Sequence, residues 1–159
     1  MVKYAAFAIV LASHAFADSD ADEILSKVEA IHGNAGVFAV VGYRIGETAL
    51  KELGLPRGSF AIDVVHHTPL EVQYSCIADG VQAATGASSG KLNLHVVQAT
   101  AANLETVIRD RKTGRAVMFH LQPAFLRNYL NLPYEKQPAA ARKVLLTPAE
   151  QIFSVTTKP

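Results

Sequence analysis

The sequence predicts an α+β domain, with a central and mainly antiparallel sheet flanked by helices. Three observations lead there. Apolar residues recur at helical spacing near the start of the chain and again near its end. β-Branched stretches cluster between them, and Lys112-Thr113-Gly114-Arg115 separates two of those stretches as a hairpin turn does. Strand and helix do not alternate regularly, which sets the chain apart from a doubly wound parallel sheet.

Residues 1–17 read as a secretory leader. Lys3 gives a positive start, Ala5 to Ser13 is an uncharged apolar run, and Ala15-Phe16-Ala17 is a small-x-small cleavage pattern before polar Asp18. The run is shorter than the ~20 apolar residues that a bilayer span requires. The expected product is one exported domain over residues 18–159, periplasmic or secreted, without a membrane span. Of the 15 Lys and Arg only Lys3 falls in the leader, so 14 remain against 14 Asp and Glu. A nearly neutral domain with no basic stripe is not expected to bind nucleic acid. The single cysteine, Cys76, has no internal disulfide partner. It is a buried bystander, an intermolecular bridge or a functional thiol.

Ser19 and Asp20 can cap a first helix over about 21–31, with Ile24, Leu25, Val28 and Ile31 as its apolar stripe. His32-Gly33 ends it, and Asn34 can cap a second helix over about 35–53, stopped by Gly54. Gly42 and Gly46 inside that helix are costly unless another helix packs closely there. Residues 60–66 read as a strand and 70–74 as another. Residues 76–85 read as a helix with Ser75 as its cap, followed by a small-residue loop at 86–90 and a strand over about 92–98. The hairpin strands are 104–110 and 116–121. The tail reads as mostly helical: 123–130, an irregular link bounded by Pro133 and Pro138, and a capping box with early proline at Thr147-Pro148-Ala149-Glu150.

Candidate chemistry concentrates on Cys76, Asp79 and Gln82, spaced three apart and so on neighbouring parts of one helical face. With Ser75 as the cap, Cys76 falls in the first turn, where the helix dipole favours a thiolate. That makes a metal ligand or nucleophile; equally, Cys76 is a small buried hydrophobe and Asp79 suits the positive helix end. His32 sits at a corner between helices, where a histidine also simply complements a helix C-terminus. His66-His67 point to opposite faces of a strand and do not share an ion readily. His95 and His120 are read as structural. Gly86 to Lys91 departs from the phosphate-loop pattern in its spacing and in Leu92 after the lysine, so no nucleotide site is expected. Its small residues can still offer backbone N–H groups to an anion.

Two segments carry a resemblance. His32-Gly33-Asn34-Ala35-Gly36-Val37-Phe38, leading into Gly42-Tyr43-Arg44, is similar to the His-Gly-His-x-Cys-Pro-Gly…Gly-Tyr-Arg opening of the FmdE family of formylmethanofuran dehydrogenase. Cys76 to Gln82, Thr85-Gly86 and Gly90-Lys91-Leu92-Asn93-Leu94 resemble its Cys-x-x-Asp-x-x-Gln…Thr-Gly-Cys-x-x-Gly-Lys-x-Asn-Leu. The resemblance implies an α+β fold, frequent homodimers, and a cleft in which His and Cys residues gather around a zinc-type metal. Three family positions are changed: its second histidine is Asn34 here, its first-motif cysteine Gly36, and its cysteine after Thr-Gly Ala87. No later cysteine pair exists, so the zinc module that some members carry at the C-terminus is not expected.

The expectation is therefore an exported binding module holding zinc, another transition metal or a metal-containing cofactor. His32 and Cys76 would be metal ligands, and Asp79, Gln82, Lys91 and Asn93 would surround the ligand. The alternatives are a thiol-dependent enzyme or redox protein with Cys76 as its reactive group, and a structural or interaction protein whose site is vestigial.

Overall fold

A computed structural model describes residues 18–159; the leader read from residues 1–17 lies outside them. Six helices and five strands follow in the order α1 (Asp18–His32), α2 (Val37–Leu53), β1 (Ile62–Thr68), α3 (Val72–Thr85), β2 (Leu94–Gln98), β3 (Glu105–Asp110), β4 (Ala116–Leu121), α4 (Pro123–Tyr129), α5 (Gln137–Leu146), α6 (Ala149–Ile152) and β5 (Phe153–Lys158). The sheet order is β2-β1-β3-β4-β5. Only β1 and β2 pair in parallel; the remaining pairs are antiparallel. This is the expected α+β class. Among the described residues no single helix is long and apolar enough to cross a membrane.

The parallel pair explains one departure from the sequence reading. β1 and β2 run the same way, so the chain must cross over between them, and a parallel crossover needs about a dozen residues or more. That crossover is α3, which begins at Val72, four residues before the expected start. Residues 70–74 are therefore not a strand. Their alternation is real but misleading, since Leu70 and Val72 are 67% and 78% exposed. Tyr74 alone turns inward, against Phe38 at 6.4 Å between ring centroids.

α2 runs through the core and lies directly on α3. Gly42 and Gly80 permit this: a Cβ on Gly42 would stand 2.0 Å from the Ile77 carbonyl oxygen, and one on Gly80 1.8 Å from that of Ala39. The close contact expected at Gly42 and Gly46 is therefore present, and α3 is its partner. Arg44, 3% exposed, donates through Nη1 to the Val144 carbonyl at 2.7 Å and also to that of Thr147, tying α2 to the end of α5. Burial lowers its pKa to about 10, and a charge buried at that depth needs such partners.

Three local expectations are corrected. Asn34 does not cap α2; Gly36 stands at that position without a side-chain cap, and the Val37 N–H donates to Gln137 Oε1 at 3.0 Å. The capping box at Thr147 does not form. Its hydroxyl donates back to the Lys143 carbonyl at 2.9 Å, and the helix after Pro148 lasts one turn. The tail then ends in an unforeseen strand, β5, which packs Phe153 edge-on against Phe119.

Candidate functional site

The corner between α1 and α2 meets the start of α3 and the link before α5, and a cavity of about 340 Å³ opens there. Val37, Phe38, Ala39, Val72 and Leu132 supply its apolar walls. Its polar lining comes from His32, Asn34, Gln73, Cys76, Tyr134 and Gln137, with Gly36 at the turn.

His32 closes α1, and α3 packs close enough for its Nδ1 to meet Asp79 Oδ2 at 2.8 Å. A carboxylate oxygen only accepts, so Nδ1 carries the hydrogen and Nε2 of the neutral ring is left with its lone pair. Carboxylates orient metal-binding histidines in this way. Asp79 thus serves His32 more directly than it serves Cys76. At 45% side-chain exposure it anchors the ring from the wet side of the pair.

Cys76 is the fifth residue of α3, because the helix cap is Glu71 and not Ser75, whose hydroxyl bonds to the Val72 carbonyl instead. The thiol therefore lies beyond the turn where free N–H groups favour a thiolate. Burial, and after it the nearby Asp79 carboxylate, pushes the thiol up to about 11. Of the two readings of Cys76, activated thiolate and small buried hydrophobe, this environment favours the second. Labelling of Cys76 by iodoacetamide at neutral pH should accordingly run about a hundredfold slower than for a free cysteine, since the thiolate is the attacking species. Labelling at the free-thiol rate would remove this reading.

The remaining predicted site residues are placed elsewhere. Gln82 lies two turns beyond Cys76 and does not line the cavity. Lys91 donates to the Gly86 carbonyl at 2.8 Å and sits over the Phe60 ring. Asn93 is 1% exposed, donating to the Ile62 carbonyl and accepting from the Ser88 N–H. These two residues organise the loop at 86–93, and Asn93 takes the Ser88 N–H that an anion would need. His66 is buried between the Thr106 hydroxyl and the Tyr74 carbonyl, and burial lowers its pKa to about 4. His95 and His120 face Asp63 and Glu105 on the sheet.

Sequence reasoning missed Gln73, Tyr134 and Gln137. Gln137 joins α2 to the link by accepting from Val37 and donating to the Leu132 carbonyl at 3.1 Å. Gln73 accepts from the Asn131 N–H at 2.8 Å, where the backbone is left-handed with φ 65°. No local pattern marks these residues. The one hint was an aromatic, Tyr134, in the proline-bounded link.

The sequence profile described as "FmdE, Molybdenum formylmethanofuran dehydrogenase operon" matches residues 31–158, a span holding every residue of this cavity. The chain belongs to the FmdE family. The fold also matches the crystal structure of a tungsten formylmethanofuran dehydrogenase FmdE-like protein from Syntrophus aciditrophicus. That match has 21% identity and a TM-score of 0.59, covering 87% of this chain and 71% of that one. No functionally curated protein matches. Of the three changed FmdE positions, Asn34 and Gly36 line the cavity beside His32 and Cys76. Ala87 does not; it lies past the far end of α3, about 14 Å of helix rise from Cys76.

Among the described residues no three His, Cys, Asp or Glu side chains converge as metal ligands. A bare zinc-type ion needs three or four donors, and this cavity offers two, His32 Nε2 and Cys76 Sγ. An ion held by protein alone does not fit. A metal that arrives inside its own ligand needs only one or two protein donors, and the cavity has room for such a group.

Proposed function

We propose that this FmdE-family chain is a small-ligand-binding module whose cleft takes a metal-bearing ligand, with His32 Nε2 and Cys76 Sγ as the protein's two donors. The observation that carries it is the His32–Asp79 pair. Its 2.8 Å bond fixes the tautomer of a histidine lining a cavity of about 340 Å³ that also contains the only cysteine. The family description, which names a molybdenum enzyme operon, supports the metal side of the proposal. The raised thiol pKa weighs against a nucleophilic enzyme.

Bound metal would supply Lewis-acid or redox chemistry; the chain's own part is to orient the ring, enclose the ligand and give up the thiol proton. Because that proton must leave when sulfur binds, retention should strengthen as pH rises. Export and homodimerisation belong to the same proposal. The leader pattern supports the first. The outer edge of β2, unpaired among the described residues, with no Lys, Arg, Asp or Glu in the strand and with Val96 and Val97 49% and 41% exposed, supports the second.

One preparation tests these points: the protein recovered from the periplasm of an expression host, with its mass, metal content and visible spectrum measured together. The expected product is a dimer of chains starting at Asp18 with near-stoichiometric metal. His32→Ala and Cys76→Ser should each reduce metal to background. Unchanged metal in either variant would sink the proposal.

A further inference from the structure

We infer that the ligand of this cleft is an uncharged amphipathic small molecule, read at its polar end by Asn34, Gln73 and Tyr134. The inference rests on the cleft being a ligand site, as proposed above, and adds the chemical class of what enters.

Charge comes first. No Lys, Arg, Asp or Glu lines the cavity. The groups that line it instead are the Cys76 thiol, the Tyr134 phenol and the His32 ring. An ionised ligand group brought into such a site would lose water and gain no counter-charge, which disfavours its binding. The first amide of α2, a natural anchor for an anion, is already taken by Gln137 Oε1. Asp79, the carboxylate bonded to His32, is not part of the lining.

The polar groups left over are neutral and mixed. Asn34 Nδ2 donates to the Tyr134 hydroxyl at 3.2 Å, so the phenol keeps its own hydrogen to donate and Asn34 keeps Oδ1 to accept. Gln73 spends Oε1 on the Asn131 N–H and keeps two amide hydrogens. A ligand with a carbonyl or hydroxyl at one end satisfies these groups. Val37, Phe38, Val72 and Leu132 add only hydrocarbon to the same lining. The volume lies near the lower end of the roughly 300–1,000 Å³ range of ligand pockets, so the occupant is a small molecule.

Two fluorescent probes test this on the whole protein: Nile red, uncharged and carbonyl-bearing, and 1-anilinonaphthalene-8-sulfonate, an anion. Nile red should bind saturably with blue-shifted emission, at least about tenfold tighter than the sulfonate. Gly36→Leu should weaken Nile red about tenfold or more by filling the cavity. It is tolerable in the fold, because Gly36 has φ −77° and a Cβ there meets nothing closer than 3.6 Å. Should that variant fold poorly, Val72→Lys serves instead, since Val72 lines the cavity yet is 78% exposed. It should raise sulfonate affinity about tenfold by adding a cation to the cavity wall. Equal or tighter sulfonate binding by the native protein, Nile red binding indifferent to Gly36→Leu, or a Val72→Lys protein with unchanged sulfonate affinity would overturn the inference. Metal retention is read separately. Its failure with Nile red binding intact removes the proposed metal donors and leaves the ligand class standing; Nile red failure with metal retained does the reverse.

Discussion

Gly80→Ala should destabilise the protein by about 3 kcal/mol or more, and Gly42→Ala by a similar amount. Each added methyl would lie about 2 Å from a backbone carbonyl oxygen of the facing helix, Ala39 for Gly80 and Ile77 for Gly42. A flexible side chain can move aside, but a helix backbone cannot without carrying the helix with it. For a domain of this size each kcal/mol is about 2–4 °C in Tm, so a fall of roughly 6–12 °C is expected by calorimetry. Gly90→Ala is the control. Its Cβ would meet only Ser88 Oγ at 4.0 Å, and its melting should stay within about 0.5 kcal/mol of the native protein. The cleft should fail with the helices, because α2 contributes residues 37–39 and α3 contributes Val72, Gln73 and Cys76. A Gly80→Ala protein that melts like the native one would mean that α2 and α3 are not in backbone contact.

That contact also marks how far the sequence could be read. Gly42 and Gly46, costly in a helix interior, announced that something approaches closely there. They did not say what, because α3 follows only after β1 and only the fold lays Gly80 against Gly42 and Ala84 against Gly46. Period-based reading worked where one face of an element is buried, as in α1 and the β3–β4 hairpin. It failed at residues 70–74, where alternating apolar residues belong to an exposed helix start. The parallel pairing of β2 with β1 was out of reach too, being set by the α3 crossover and not by a turn. β5 did carry a signal, with Phe153, Val155 and Thr157 alternating with more exposed residues, but the capping pattern just before it invited a helix.

The site was half legible for the same reason. His32, Cys76 and Asp79 were found, yet Asp79 was read with Cys76 three residues away, and its hydrogen bond reaches His32 across 47 residues. The choice between a reactive and a buried thiol stayed open in the sequence because it depends on where α3 starts. A four-residue shift moves Cys76 from free N–H groups into a half-buried wall. Gln137 meets Val37 at a separation of 100 residues, and no spacing rule covers such a pair.

The second large effect expected is a gain. Asn34→His combined with Gly36→Cys should bring bare zinc affinity up by about a thousandfold or more, ~4 kcal/mol. Both residues occupy positions where the motif this chain resembles has a His and a Cys, and both line the cavity with His32 and Cys76. The double variant therefore gathers two imidazoles and two thiols, a usual tetrahedral zinc set. The costs are small beside this. Asn34→His gives up the 3.2 Å bond to Tyr134, about 1 kcal/mol. Gly36→Cys meets ordinary contacts at 3.6 Å in a backbone conformation open to any residue. Titration under reductant, to keep the thiols apart, should show one zinc per chain. At a hundredfold excess over Kd the metal should add about 2.7 kcal/mol of stability, roughly 5–11 °C in Tm, and a chelator should reverse it. Each single variant should fall between. If the double variant binds zinc no better than the native chain, the four positions do not converge on one point, and the two-donor geometry proposed for His32 and Cys76 loses its basis. If the native chain already binds bare zinc as tightly as the double variant, further donors complete its site, and the metal needs no ligand of its own to enter the cleft.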